Sequence, residues 1–313
     1  MIICMLDAGQ FIEKPEFLEP LKQYGEIRIF SGMPKSVDEV VARAGDAEVV
    51  AFAVTQLTHE MIDRLPKLKI LQFIGTGMWN FVDVDYAVSK GIEVLNIDAY
   101  GSNAVAEFAV SLAMSMNRNI VPAVNILKAH DWTTDGLGGQ EIAGATVGVI
   151  GTGSIGRLVA EKFFGLNANV IACDLYENEQ LKAKYDLKYY SMEEIFRQSD
   201  IITMHMKVTK ENEKLIGRRL ISQMKPNALL INVSRAELID NEALYEALAA
   251  KKIRGLATDV YTSEPPCEFD YKMIDLPNVI CTPHIGFYTE QSNDNSIKMS
   301  VNSIIKALGT KDD

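Results

Sequence analysis

The stretch VGVIGTGSIGRLVA, Val147–Ala160, begins with four residues free of charge, turns on Gly151, Gly153 and Gly156, and continues as an amphipathic run. A GxGxxG spacing alone is a weak signal, because glycine-containing loops produce it by chance. Here it leaves an apolar strand and opens a helix, the context that phosphate binding needs. Gly151 permits a tight turn, and Gly153 lets the backbone approach a pyrophosphate. Gly156 lets helix and strand pack closely. The free N–H groups at the helix start, around Ser154 and Ile155, and the helix dipole attract negative charge. The next strand candidate ends in IACDLY, which puts Asp174 18 positions beyond Gly156. A carboxylate there accepts the hydroxyls of an adenosine ribose and repels a 2′-phosphate, so the expected cofactor is NAD rather than NADP. The competing explanation is an ordinary exposed aspartate at a strand end.

Around this unit the chain alternates short apolar runs with amphipathic segments, the pattern of an α/β fold with parallel sheets. From residue 146 onward six strand candidates follow: TVGVIG, NVIACD, DIITMH, ALLINV, GLATDV and NVICTP. Helices are expected between most of them, one capped by Ser191 with Glu194 three positions later. Six strands with crossovers fit a doubly wound dinucleotide fold. Upstream, IICML, IRIF, VVAFAV and LKILQFIG read as strands of a separate region ending near IEVLNIDAYG. One helix there begins at Ser36, with Glu39 placed to complete a capping box, and a second opens at Thr58. SNAVAEFAVSLAMSMNRNI, residues 102–120, reads as one long buried packing helix, followed by a glycine-rich connector, HDWTTDGLGGQEIAG. A last helix, from about Glu290 to Leu308, is expected to return to the first region.

At 313 residues the chain is too long for one ordinary core, which suggests two domains. Hydrophobic residues make up 48%, enough for globular folding, and the formal net charge is −11. That charge disfavours a nucleic-acid or anionic-membrane surface and means that an anionic ligand must be held by specific local cations. Cys4, Cys173, Cys267 and Cys281 form no CxxC pair and have no metal-like spacing, so no metal site is expected. The start, MIICMLDAGQF, lacks the basic and sustained apolar regions of a secretory signal, and no apolar run reaches membrane-spanning length. A cytoplasmic protein with reduced thiols is expected.

In open α/β sheets, ligands gather outside the carboxyl ends of the strands. Arg235 follows ALLINV, Glu264 follows GLATDV, and His284 follows NVICTP. Each has a plain alternative: Arg235 paired with Glu237 or Asp240 on the surface, Glu264 solvated in its loop, His284 filling space. Together they suit hydride chemistry on a 2-oxo acid. Arg235 offers a planar fork for a carboxylate and polarises the adjacent carbonyl. His284, one of only four histidines, gives a proton to the carbonyl oxygen while Glu264 stabilises the imidazolium.

Several long, ordered segments resemble the D-isomer-specific 2-hydroxyacid dehydrogenases across nearly the whole chain. They are VGVIGTGSIG, INVSRAELID with Arg235, DVYTSEPP with Asp259 and Glu264, TPHIG with His284, and upstream IGTGMWNFVDVDYA and NIDAYGSNAVAE. The resemblance implies two doubly wound parallel-sheet domains. One is a flavodoxin-like substrate domain built from residues 1–100 and 286–313; the other is a Rossmann NAD domain, residues 101–285, inserted between. It implies Arg235 on the substrate carboxylate, helped by backbone around Thr76, Gly77 and Met78, and His284 with Glu264 as acid/base pair. Asp259 is expected near the nicotinamide amide, with Lys207, Asn212 and Val233 also beside the cofactor. Homodimers, and closure of the cleft between domains to exclude water, are implied as well.

Departures from the family's pattern bear on the substrate. Ala236 replaces a common glycine, and Lys207 replaces a common proline, either as a solvated lysine or as one that approaches a phosphate. The loop GTGMWNFVD is one residue longer than usual, with Met78 and Trp79 at its tip. Formate dehydrogenases have glutamine where this chain has Glu264, and phosphite dehydrogenases have a lysine near Thr76. Phosphoglycerate dehydrogenases typically carry a basic residue near VVAFAVTQL, and many append a regulatory domain; neither is expected here. The segment AYGSNAVAE looks like that of glycerate dehydrogenases (hydroxypyruvate reductases), so glycerate and hydroxypyruvate are the expected pair. The alternatives are a phosphoglycerate dehydrogenase or a relative that acts as an NAD-sensing, corepressor-like binding protein.

Overall fold

The computed structural model describes residues 1–309. The chain divides into two compact units, one comprising Met1–Gly101 and the chain from Tyr288 onward, the other Ser102–Phe287.

The first unit is built on five strands: β1 (Ile2–Met5), β2 (Glu26–Ile29), β3 (Val49–Phe52), β4 (Ile70–Phe73) and β5 (Glu93–Leu95). They pair in the order β2-β1-β3-β4-β5, every pairing parallel. That is the flavodoxin-like order. β3 and β4 are buried along their whole length, which is why β3 reads as a continuous apolar run and β4 as one broken only by Gln72. One face of the sheet is covered by Val40, Ala44, Ile62 and Leu65, which join Cys4, Val50, Phe52 and Leu71. The other is covered by the helix Glu290–Gly309, whose Ile297, Val301, Ile304 and Ala307 meet Ile3, Met5, Val49 and Ile70. The last helix therefore does return to the first region. Burial of each Val, Leu, Ile, Phe or Met side chain among these contributes about 1.5–3 kcal/mol. The helix Val37–Ala44 is capped by Ser36, which accepts from the Glu39 N–H, but only half of the expected capping box forms. The Glu39 carboxylate accepts from the Lys35 N–H instead, drawn also by Arg43 one turn on at 2.5 Å.

The second unit carries seven strands: β6 (Thr146–Ile150), β7 (Asn169–Cys173), β8 (Lys188–Tyr189), β9 (Ile201–Met204), β10 (Leu229–Asn232), β11 (Gly255–Thr258) and β12 (Val279–Cys281). Their order is β12-β11-β10-β9-β6-β7-β8, again all parallel. The reversal of strand order at β6 and β9 creates the switch point where α/β sheets bind ligands. Six strands were expected. The additional one, β8, is a two-residue edge strand pairing Ile171 with Lys188 and Ala172 with Tyr189, too short and polar to show periodicity. Ser191 and Glu194 form the full reciprocal capping box at the helix Met192–Gln198.

The helix expected over residues 102–120 ends at Asn117. Asn119 adopts a left-handed conformation (φ +50°), and a second helix, Ile120–Lys128, begins after it. Asparagine tolerates that conformation, and Pro122 falls in the first turn, where its missing N–H costs nothing. Ala106, Ala109 and Ala113 of the first of these helices share a core with Val159, Ala160 and Phe163 of the helix Ser154–Gly165. By contrast, the helix Ile120–Lys128 buries none of its residues within this chain.

Candidate functional site

β6 ends at the glycine loop. Gly151 has φ +86°, and a Cβ there would stand 2.9 Å from the backbone of His205. A Cβ on Gly156 would lie 1.8 Å from the Gly151 carbonyl oxygen, so only glycine lets the helix seat against the loop. Gly153 is different: a Cβ there meets nothing within 4 Å. It is the N-cap of Ser154–Gly165, and no side chain caps that helix. The uncapped N–H groups of the first turn, including Ser154, Ile155 and Gly156, and the open space over Gly153 form a cradle that suits a pyrophosphate. The residues present therefore fit a dinucleotide.

At the end of β7, half-buried Asp174 accepts at Oδ2 from the Thr152 N–H (2.5 Å) and hydroxyl (3.0 Å), and at Oδ1 from the Tyr176 N–H (3.1 Å). Cys173 beside it has its thiol pushed up by burial and then by the Asp174 charge, which keeps it protonated. β9 is followed by His205, whose Nε2 contacts the Thr203 hydroxyl at 2.8 Å. Its Nδ1 is buried without a partner, and burial pushes the imidazole down to about 3, so the ring is neutral. Lys207 is exposed, and its carbonyl accepts from Asn212 Nδ2 (2.8 Å) while Asn212 Oδ1 accepts from the Thr209 N–H (2.7 Å). Asn212 thus shapes the loop that carries Lys207. Half-buried Val233 packs against the core next to β10.

The next three strand ends carry Arg235, Glu264 and His284. After β10, Asn232 accepts from the Ser234 N–H (3.0 Å) and donates to the Arg235 carbonyl (3.0 Å), and the Ser234 hydroxyl donates to the Met204 carbonyl (2.5 Å). This turn holds half-buried Arg235. Its guanidinium donates to the Ser234 carbonyl (2.8 Å), and among the described residues no carboxylate lies within ion-pairing distance, so Glu237 and Asp240 do not neutralise it. Ala236 starts a short 3-10 turn without a positive φ, so it takes the place of a glycine without strain. After β11 and β12, Glu264 Oε2 and His284 Nδ1 stand 2.7 Å apart, both side chains partly exposed.

His284 has φ +53°, an unusual conformation for a non-glycine residue. Its loop is anchored to the end of β11. Buried Asp259 accepts from the Thr282 hydroxyl (2.5 Å) and the Ile285 N–H (3.0 Å) at Oδ1, and from the Gly286 N–H (2.7 Å) at Oδ2. The Tyr261 hydroxyl donates to the Thr282 carbonyl at 2.7 Å, and burial holds that phenol above the usual tyrosine range. Asn232, Ser234, Tyr261 and Thr282 escaped sequence reasoning. Their only signal was a polar letter at the end of an apolar strand.

In the first unit, the loop after β4 carries half-buried Thr76, Gly77 and Met78, and Trp79 is 68% exposed rather than packed in the core. Asn96 Nδ2 donates to the Thr76 carbonyl (3.1 Å). His59 belongs to this unit too, stacked on Tyr86 and paired with Asp83 at 2.9 Å. Among the described residues no cluster of three or more His, Cys, Asp or Glu could hold a metal, and no helix is long and apolar enough to cross a membrane.

Residues 110–286 match the family described as D-isomer specific 2-hydroxyacid dehydrogenase, NAD binding domain. A D-3-phosphoglycerate dehydrogenase from Methanocaldococcus jannaschii is 36% identical over 290 residues, covering 92% of this chain but only 54% of that protein. The chain thus spans about half the length of that relative. A hydroxypyruvate reductase from Thermotoga maritima is 32% identical over 304 residues, covering 97% of this chain and 95% of the relative. Among solved structures, D-lactate dehydrogenase from Aquifex aeolicus, complexed with NAD and lactic acid, superposes with a TM-score of 0.83 at 29% identity, covering 100% of this chain and 96% of that one.

Proposed function

Since the chain belongs to the D-isomer-specific 2-hydroxyacid dehydrogenases, an NAD-dependent family, we propose that it interconverts a small, unphosphorylated D-2-hydroxy acid and its 2-oxo acid. One observation carries this reading: His284 and Glu264 in contact at 2.7 Å, on the same sheet edge as an Arg235 that has no carboxylate partner among the described residues. NADH, when bound, supplies the hydride. Gly151, Gly153, Ser154, Ile155 and Gly156 would hold its pyrophosphate and Asp174 its ribose, with Lys207, Asn212 and Val233 beside the remaining path and buried Asp259 acting there through the His284 loop that it fixes. Arg235 takes the substrate carboxylate in a two-pronged hydrogen bond and polarises the neighbouring carbonyl. Because an ionised Glu264 only accepts, Nδ1 of His284 carries a hydrogen, and Nε2 is left to exchange the reacting proton. His284 gives that proton to the carbonyl oxygen in reduction and takes it from the hydroxyl in oxidation. Glu264 steadies the imidazolium meanwhile.

Within the first unit, the loop Thr76–Met78 is assigned to substrate recognition. Val49–Leu57 contains no Lys or Arg, so a substrate phosphate has no counter-charge on that segment, and the glycerate/hydroxypyruvate pair is favoured over phosphoglycerate. The near-full-length similarity to a hydroxypyruvate reductase supports the same choice. The protein is read as a homodimer paired through the helix Ile120–Lys128, whose Ile120, Val121, Val124 and Leu127 are exposed. A cytoplasmic location is favoured by four free cysteines.

Steady-state kinetics with hydroxypyruvate, glyoxylate, pyruvate, longer 2-oxo acids and phosphohydroxypyruvate, each with NADH and NADPH, tests the assignment. Hydroxypyruvate with NADH is expected to have the highest kcat/KM. Preference for phosphohydroxypyruvate would favour the phosphoglycerate reading, and no turnover on any acid would end the enzymatic one. His284→Gln is expected to lower kcat about 10²–10⁴-fold while NADH binding, read by fluorescence titration, stays unchanged.

A further inference from the structure

We propose that Thr152 and Tyr189 are positioning residues for cofactor preference, acting through a one-directional chain of hydroxyl groups that fixes Asp174. The proposal rests on the reading of Asp174 as the ribose acceptor. The Asn178 N–H donates to Tyr189 Oη at 2.8 Å, Tyr189 Oη lies 2.9 Å from Thr152 Oγ1, and Thr152 Oγ1 lies 3.0 Å from Asp174 Oδ2. A backbone N–H can only donate and an ionised carboxylate can only accept. Each hydroxyl has a single hydrogen, so only one arrangement satisfies all three contacts. Thr152 donates to Asp174, Tyr189 donates to Thr152, and Asn178 donates to Tyr189.

Both ends of the chain are fixed. Asn178 caps the helix Glu179–Tyr185 by accepting from the Leu181 N–H, and its amide reaches the Thr152 carbonyl at 3.3 Å. Thr152 is 3% exposed. Its N–H adds a second bond to Asp174 Oδ2, while Oδ1 takes only the Tyr176 N–H. Oδ2 therefore faces the protein with both acceptor directions used, and Oδ1 keeps one free for a ribose hydroxyl. A carboxylate held this way cannot swing aside from a 2′-phosphate, so its charge stays where it excludes NADPH. The contributing residues come from the ends of β6, β7 and β8, which makes the short edge strand β8 part of the cofactor site.

The test is the ratio of KM for NADPH to KM for NADH, measured in Tyr189→Phe, Asp174→Asn and the double variant, alongside Thr152→Ser and Thr152→Val. Tyr189→Phe is expected to narrow the ratio about 3- to 10-fold, the range of one lost neutral hydrogen bond, with kcat at saturating NADH within about twofold. In the Asp174→Asn background the same substitution is expected to change nothing further. Thr152→Ser, which keeps the hydroxyl, is expected to retain the ratio that Thr152→Val loses. The chain is overturned if Tyr189→Phe moves both KM values equally or neither, or if its effect persists in the Asp174→Asn background. An Asp174→Asn variant with an unchanged ratio would overturn the ribose assignment itself, and the chain's role with it.

Discussion

His284 adopts φ +53° at the exit of β12, and a non-glycine residue in that region carries about 1–2 kcal/mol of backbone strain. Three hydrogen bonds to Asp259 and the Tyr261 contact to the Thr282 carbonyl offset it, so the loop is held rather than free. Arg235 is anchored through its backbone by Asn232, while its guanidinium keeps most of its donors available. Arg235→Lys preserves the charge but not the planar fork. It is expected to raise KM for the 2-oxo acid about 10- to 100-fold, the range of one lost charge-assisted hydrogen bond, with KM for NADH unchanged; initial-rate measurements check both. That Arg235, Glu264 and His284 follow β10, β11 and β12 was legible from sequence because each comes after an apolar run that forms its strand. Asn232, Tyr261 and Thr282 were not. Tyr261 and Thr282 make contacts that span more than twenty positions, and Asn232 makes a turn that is set only when its strand ends.

At the scale of elements, the glycine loop separates two jobs that the motif runs together. Gly156 is a packing glycine, with the Gly151 carbonyl 1.8 Å from any added Cβ, whereas Gly153 faces open space. Gly156→Ala is expected to lower stability by about 1–3 kcal/mol, seen as a reduced urea midpoint, because the helix must shift to admit the methyl group. Gly153→Val is expected to leave that midpoint nearly unchanged while weakening NADH binding at least tenfold in a fluorescence titration. Equal effects of the two substitutions on folding would contradict the assignment. Element boundaries were the least legible feature. β8 spans two residues and shows no period, and the helix break at Asn119 depends on a left-handed residue that apolar patterning does not reveal.

For the molecule as a whole, the helix Ile120–Lys128 is the surface proposed for assembly. Ile120, Val121, Val124 and Leu127 are each at least 41% exposed, an apolar stripe of the kind that marks an interface. Val124→Glu with Leu127→Glu is expected to convert the proposed dimer to a monomer by light scattering at micromolar concentration; an unsubstituted protein that is already monomeric, or a mass unchanged by the pair, would overturn that interface. Stability should also depend on acid through His205. Its imidazole titrates near 3 in the fold against 6.5 when free, so its contribution is complete above about pH 6.5 and is lost as pH falls towards 3. Over that window stability drops about 1 kcal/mol per pH unit, and His205→Gln is expected to flatten the urea-midpoint profile between pH 6.5 and 5. Sequence alone determined the α/β class, the glycine loop and the placement of Arg235, Glu264 and His284 after their strands, because apolar runs, glycines and strand-end polar residues are local signals. Tertiary structure decided the strand order, the commitment of Asp259 to the His284 loop, and the hydroxyl chain behind Asp174. Each of these depends on pairing segments far apart in the chain, where hydrogen-bond geometry exists only after the sheet has formed.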